Sequence, residues 1–167
     1  MRVNEIFYSL QGEGYFTGTA AVFVRLSGCN LSCPFCDTQH QTFSEMTEEA
    51  IVAAVNRYKA THVVITGGEP TLQLTASLID KLHAAGKFVQ IETNGTVAPP
   101  AGADWVTCSP KDAPLAVNTV DELKLLYRKP GQDLSAYDHI TARVRSLQPC
   151  DTGDPERNAT IISATVE

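Results

Sequence analysis

The stretch Gly28-Cys-Asn-Leu-Ser-Cys-Pro-Phe-Cys-Asp-Thr38, just after the apolar run Ala21–Leu26, restricts the fold more than any other. It holds Cys29, Cys33 and Cys36 at C-x3-C-x2-C spacing. That spacing brings three thiolates toward one point and supplies no fourth ligand locally. A cuboidal four-iron cluster held this way keeps one iron open to a small molecule. A structural zinc normally takes four protein ligands, and Cys108 or His40 would then have to supply the fourth. The spacing alone leaves both readings open.

Length and composition narrow the class. One domain is expected over residues 1–167, long enough to bury about two thirds of its unfolded surface. No apolar run approaches the ~20 residues of a membrane span. The start, Met-Arg-Val-Asn-Glu, lacks the basic-then-apolar pattern of a signal peptide, so a cytoplasmic protein with no membrane partner is expected. Net charge is −6, with no basic stripe carrying interleaved aromatics, which argues against nucleic acid as the primary partner. Five cysteines, grouped as three plus the separate Cys108 and Cys150, make no disulfide framework. In a reducing compartment such a cluster reads as metal or redox chemistry. Cys108 and Cys150 read as small buried hydrophobes.

Residues 1–18 are expected to form an opening loop around Gln11-Gly-Glu-Gly14. Strands are expected at Ala21–Leu26, His62–Thr66, Phe88–Glu92, Asp104–Cys108, Glu122–Tyr127 and Val144–Gln148. The almost continuous apolar run of Ala21–Leu26 suits a strand covered on both faces. Thr47–Tyr58 reads as a helix capped by Thr47, with Glu48 and Glu49 in its first turn. A second helix should run from about Leu72 to Ala85 and stop at Gly86. A short helix is expected within 133–140 and another over the last dozen residues. This alternation predicts a mostly parallel sheet with helices outside. Polar residues recur near the C-terminal ends of the strands, where parallel barrels and open α/β sheets bind ligands. Six strands are too few for a closed eight-stranded barrel. The expected fold is therefore α/β, an incomplete, open parallel β/α barrel of about six strands with its site at the C-terminal rim.

Several residues carry two readings. Gly67-Gly-Glu-Pro70 is either a turn with Pro70 opening a helix, or a close backbone approach to a ligand beside the Glu69 carboxylate. Arg25, on a strand that should be buried, either forms a structural ion pair or grips a carboxylate with its guanidinium fork. Thr38 is either a turn residue or an oxygen donor. Gln11 and Gly12 are either part of a Gly-rich turn or donors and acceptors for a heterocycle edge. Glu92, Asn94 and Lys111 each have a plain structural alternative.

The cysteine spacing, followed one strand later by Gly67-Gly-Glu-Pro70, resembles the radical S-adenosylmethionine enzymes. The resemblance implies that Cys29, Cys33 and Cys36 hold a 4Fe–4S cluster. It further implies that S-adenosylmethionine chelates the fourth iron through its amino acid end, while the glycine–glutamate motif binds its amino group. The open coordination position then has a purpose. Within that superfamily, Leu10-Gln-Gly-Glu-Gly-Tyr-Phe-Thr-Gly18, Arg25, Cys36-Asp-Thr38, His62-Val-Val-Ile-Thr-Gly-Gly-Glu-Pro70, Gln90-Ile-Glu-Thr-Asn-Gly95 and Ser109-Pro-Lys111 resemble the 7-carboxy-7-deazaguanine synthases. These matches run in order from residue 4 to about 149.

That resemblance implies conversion of 6-carboxy-5,6,7,8-tetrahydropterin to 7-carboxy-7-deazaguanine, a queuosine precursor, with loss of ammonia. It implies substrate contacts at Leu10, Gln11, Gly12, Glu13, Arg25 and Thr66, and Mg²⁺ on the Thr38 hydroxyl. It implies S-adenosylmethionine contacts at Phe35, Cys36, Asp37, Gly68, Glu69, Glu92, Asn94, Ser109, Pro110 and Lys111. A flavodoxin or ferredoxin as electron donor and a homodimer are implied as well. The family continues into a closing segment that this sequence is expected to lack. Another small radical enzyme, such as a glycyl-radical activase, and a zinc-binding module are the competing readings. No acid–base pair is named, because a radical opens the reaction by taking a hydrogen atom.

Overall fold

The computed structural model describes residues 1–39 and 41–166. Its strands are β1 (Arg2–Leu10), β2 (Ala20–Leu26), β3 (Ser44–Glu45), β4 (His62–Gly67), β5 (Phe88–Thr93), β6 (Trp105–Cys108), β7 (Thr119–Tyr127) and β8 (Thr141–Pro149). Its helices are α1 (Glu48–Val55), α2 (Ala76–Ala84) and α3 (Pro155–Val166). All strands join one sheet in the order β3-β1-β2-β4-β5-β6-β7-β8. From β2 through β8 every pairing is parallel. This is the expected open, mostly parallel α/β sheet, a partial barrel. No helix among the described residues is long and apolar enough to cross a membrane.

The expected opening loop is the main correction. Residues 2–10 form β1, antiparallel to β2 with Leu10 opposite Ala20 and Phe7 opposite Phe23. Only Val3 of this strand is buried. A half-covered strand near the sheet edge lacks the continuous apolar run that marks doubly covered strands, so its sequence reads as irregular. The second helix also starts later than expected. Pro70–Leu72 makes a separate 3-10 turn capped by Glu69, and Thr75 then caps α2 by accepting from Leu78 N. Residues 133–140 hold only a 3-10 turn, Ser135–Tyr137. Strands β7 and β8 begin at Thr119 and Thr141 rather than at Glu122 and Val144.

Two-residue periodicity divides the sheet into faces. Val22, Val24, Leu26, Val63, Ile65, Val89 and Ile91 point outward and pack with Ile51 and Val55 of α1 and Leu78, Ile79 and Leu82 of α2. At ~1.5–3 kcal/mol for each large apolar side chain removed from water, this layer supplies most of the cohesion. A second cluster, Cys108, Val117, Val120, Leu123, Leu125 and Ile140, backs β6 and β7, with Leu134 and Tyr137 packed against it.

The opposite face is polar toward its upper end and aromatic at its floor. Phe16 from the loop after β1 packs edge-on against His62, Phe88 and Trp105, the first residues of β4, β5 and β6. Tyr15 stacks on Trp105 with ring centroids 4.8 Å apart. The next layer is a buried hydrogen-bond chain. His62 pairs with Gln90 at 2.8 Å, Gln90 donates to Thr107, and Thr107 donates to Glu122. Ser146 Oγ and Tyr15 N also donate to Glu122 Oε1, at 2.8 and 3.0 Å. The loop after β1 therefore closes the floor of the partial barrel. Above that layer the strand ends form the rim.

Candidate active site

The cysteine loop is fixed to the rim by backbone contacts. Gly68 N donates to Leu26 O at 3.1 Å and Glu69 N to Gly28 O at 2.9 Å. A Cβ at Gly68 would stand 2.2 Å from Gly28 O and 3.0 Å from Cys29 Cβ. A Cβ at Gly67 would stand 2.0 Å from Leu26 O, and its φ is +143°. The glycine pair thus meets the requirement of two chain segments crossing at contact distance. From β5, Asn94 Nδ2 donates to Asn30 Oδ1, and Asn30 Nδ2 donates to Thr96 Oγ1 at 2.8 Å.

Within the loop, Cys36 N donates to Cys33 O and folds the second and third cysteines into one turn. Cys29 and Cys33 are half-buried and Cys36 is exposed. Burial pushes the Cys33 thiol up; Lys111 opposes this, and Cys29 and Cys36 add to it as nearby like charges. The three cysteines line one cavity. Among the described residues no three His, Cys, Asp or Glu side chains gather around a single-ion position. Cys108 sits fully buried in the second core cluster, its Sγ only 2.5 Å from where a Cβ on Gly95 would lie. It does not join the triad, which removes one of the fourth ligands that zinc would need. The other, His40, lies outside the described residues.

Glu69 is fully buried. Its Oε1 accepts from Thr71 N, Thr71 Oγ1 and Thr93 Oγ1, and its Oε2 accepts from Asn94 N at 2.6 Å. Its carboxylate ties the end of β4 to the end of β5 behind the cavity wall, while Gly67 and Gly68 form the wall itself.

Two cavities meet at the rim. One, of about 510 Å³, is lined by the three cysteines, Phe35, Gly68, Asn94, Ser109 and Lys111. The other, of about 800 Å³, is lined by Leu10, Gln11, Gly12 and Arg25. Glu13, Asp37, Thr38, Thr66 and Glu92 belong to both walls. Most of the residues expected from the sequence are therefore brought to one connected space. Pro110 is an exception, lining a smaller cleft with Asp112 and Tyr137. Phe35 faces both, and the Arg128 guanidinium lies 5.2 Å from its ring centre.

The polar groups of the larger cavity hold one another in place. Gln11 Nε2 donates to Glu92 Oε1 at 2.8 Å, and Thr66 Oγ1 lies 3.4 Å from Glu92 Oε2. Arg25 Nε donates to Glu5 Oε1 at 2.7 Å, a partner supplied by the strand absent from the sequence-based expectation. Thr38 Oγ1 donates to Asp37 Oδ1 at 3.1 Å, placing two side-chain oxygens beside the third cysteine. On the cysteine side, Lys111 Nζ donates to Ser109 Oγ at 2.6 Å. Burial and the nearby Lys124 hold Lys111 below its ordinary pKa, against the pull of Cys33 and Glu13.

Sequence reasoning missed part of this wall. Lys124, Leu126 and the segment Gln148–Asp151 line the cysteine-side cavity, and Cys150, read as a bystander, is among them. A signal was present for Lys124: Glu122 and Lys124 place two charges at period two in the stretch Glu122–Tyr127, whose other residues are Leu123, Leu125, Leu126 and Tyr127.

The Radical SAM superfamily profile matches residues 23–148. A 7-carboxy-7-deazaguanine synthase from Bacteroides thetaiotaomicron is 56% identical over 150 residues, covering 89% of this chain and 81% of that protein. Another so named, from Nitratidesulfovibrio vulgaris, is 45% identical over 183 residues, covering 93% and 85%. The crystal structure of QueE from Escherichia coli superposes with a TM-score of 0.81 at 31% identity, covering 99% of this chain and 89% of that one. The convergence of three cysteines, a glycine crossing and a polar cavity at one barrel rim thus has close relatives: the chain belongs to the Radical SAM superfamily and, within it, to the 7-carboxy-7-deazaguanine synthases.

Proposed function

We propose that this protein converts 6-carboxy-5,6,7,8-tetrahydropterin to 7-carboxy-7-deazaguanine with loss of ammonia. It would use a 4Fe–4S cluster on Cys29, Cys33 and Cys36, S-adenosylmethionine and Mg²⁺. The observation that carries the reading is the shared wall. A cysteine-lined cavity opens directly into one lined by Gln11, Glu13 and Arg25. A group abstracting a hydrogen atom must lie against its target, and two abutting cavities meet that need.

The donor set fits the cofactors. Three thiols with no fourth ligand beside them among the described residues suit a cluster that leaves one iron for a small molecule. Asp37 and Thr38 offer hard oxygen donors, which suit Mg²⁺ with its remaining positions taken by water and substrate. The cluster and S-adenosylmethionine, when bound, supply radical abstraction of hydrogen, for which side chains have no equivalent.

The protein's own part is placement. Arg25 presents a guanidinium to the substrate carboxylate. Gln11, Gly12 and Glu13 present donors and acceptors to the pterin edge. Thr66 and Glu92 stand between substrate and cofactor. Phe35, Cys36, Asp37, Gly68, Asn94, Ser109 and Lys111 receive S-adenosylmethionine. Glu69 acts from behind, holding the glycine crossing in position. The electron comes from outside the chain, with a flavodoxin or ferredoxin as the proposed donor in a reducing cytoplasm. A homodimer is proposed on family likeness.

Anaerobic reconstitution with iron, sulfide, reductant, S-adenosylmethionine, Mg²⁺ and the carboxytetrahydropterin tests this. The expected products are 5′-deoxyadenosine and 7-carboxy-7-deazaguanine. 5′-Deoxyadenosine alone would retain the radical chemistry and overturn the substrate. Cys33→Ala should abolish both products. Thr38→Ala should reduce Mg²⁺ stimulation while leaving iron content unchanged; undiminished stimulation would remove Thr38 as a ligand.

A further inference from the structure

Lys124 lies on the inner face of β7 with only 6% of its surface exposed. A lysine this deep needs an anionic partner to stay charged. Two carboxylates supply it, each from a different element. Nζ is 2.6 Å from Glu13 Oε2 in the loop after β1 and 3.9 Å from Glu92 Oε1 on β5. Glu122, two residues back on the same strand, adds to the negative field, and Lys111 is the neighbouring cation. Burial works against the charge, but Glu92, Glu13 and Glu122 outweigh it and leave the ammonium above its ordinary pKa.

Glu13 and Glu92 are, with Asp37, the carboxylates common to both cavity walls. Glu13 is tied to its own loop through Glu13 N, which donates to Gln11 Oε1, and Glu92 is held by Gln11 Nε2. Lys124 is the third corner of this arrangement and the one that lies beneath both acids.

We propose that Lys124 is a positioning residue for the substrate: its ammonium clamps Glu13 and Glu92 so that Glu13 Oε1 and Glu92 Oε2, the latter 3.4 Å from Thr66 Oγ1, present fixed acceptors to the N–H-rich edge of an aminopyrimidinone ring. Without the clamp the two acids repel each other and Glu13, at the half-exposed end of its loop, turns to solvent. The effect falls first on substrate binding; S-adenosylmethionine binding, whose cavity Lys124 also lines, changes less. This inference rests on the proposed substrate.

The test compares Lys124→Met and Lys124→Arg with the unaltered, cluster-loaded protein, first by equilibrium binding of the pterin without reductant, then by turnover. Lys124→Met should weaken pterin binding about tenfold or more, as expected for loss of one partner of a buried charge pair. Its KM for the pterin should rise in proportion, and its affinity for S-adenosylmethionine should change less than about twofold. Lys124→Arg should recover part of the loss. Combining Lys124→Met with Glu13→Gln should cost less than the sum of the two, since both remove the same contact. Unchanged pterin affinity in Lys124→Met, an equal loss of S-adenosylmethionine affinity, or strict additivity would each overturn the clamp. If Lys124→Met fails to load its cluster, the Lys124→Arg and Glu13→Gln pair gives the same cycle. Unaltered protein that neither binds nor converts the pterin would overturn the substrate reading and this inference with it. Normal binding in both proteins would overturn the clamp alone.

Discussion

At the scale of single residues, the site depends on atoms that are missing as much as on those present. Gly68 touches Gly28 and Cys29 closely enough that one added methyl has no room. Gly68→Ala should destabilise the protein by at least ~1–3 kcal/mol, the usual cost of overpacking, and should lower iron and sulfide content after reconstitution. A variant that melts earlier yet loads a full cluster would show that the crossing serves the fold alone. The cysteines give a graded prediction for metal-free protein. Native-state alkylation followed by mass spectrometry should label Cys36 first, then Cys29 and Cys33, and Cys108 only after unfolding. Cys108 is fully buried, and burial first, with Glu69 adding, pushes its thiol up to about 12. The triad was legible as a triad because spacing alone encodes it. The neighbours of Glu69 were not: only the fold shows that Thr71, Thr93 and Asn94 hold its carboxylate.

At the scale of elements, the helices are joined to each other as well as to the sheet. Glu48 at the start of α1 accepts from Thr75 and Ser77 at the start of α2, and Lys81 reaches both Glu48 and Glu49. The bonds from Ser77, Thr75 and Lys81 lower Glu48 from an ordinary 4.5 to about 2. A carboxyl depressed in the folded state stabilises fully above its unfolded pKa and loses that contribution as pH falls through the folded one. Glu48→Gln should therefore lower the urea midpoint at pH 7, and the difference from the unaltered protein should shrink steadily from pH 4.5 toward pH 2. A constant difference would show that Glu48 acts through packing. Beneath this junction Leu82 is fully buried, and Leu82→Ala should cost ~2–5 kcal/mol in chemical denaturation. Strands such as β2 and β4 were legible because both of their faces are covered and their apolar runs are nearly unbroken, whereas β8, with no buried residue, alternates instead. Strand β1 was not legible, because an element covered on one side mixes Asn4, Glu5 and Ser9 with Val3, Ile6 and Phe7. With β1 went the partner of Arg25, whose ion pair with Glu5 needs both strands in register.

At the scale of the molecule, outer and inner faces follow different rules. The outer face is an ordinary apolar core, built from the apolar residues of β2, β4 and β5 against α1 and α2. The inner face is a stack of layers, aromatic at the floor, hydrogen-bonded above and charged at the rim. Sequence order hides it, since each layer draws one residue from each of several strands. Lys124 and Gln148 become site residues only once β7 and β8 curl round to face the cysteines. The loop that forms the floor has a further consequence during synthesis. Tyr15 leaves the ribosome early, but the Glu122 oxygen that its backbone N–H meets is separated from it by 107 positions, and Trp105, against which its ring stacks, also follows much later. Contacts this distant in sequence form late, because the chain between must be ordered first. A segment made before its partners is thus seated only after them, and until β6 and β7 are in place the aromatic underside of the sheet stays open to solvent and to chaperones.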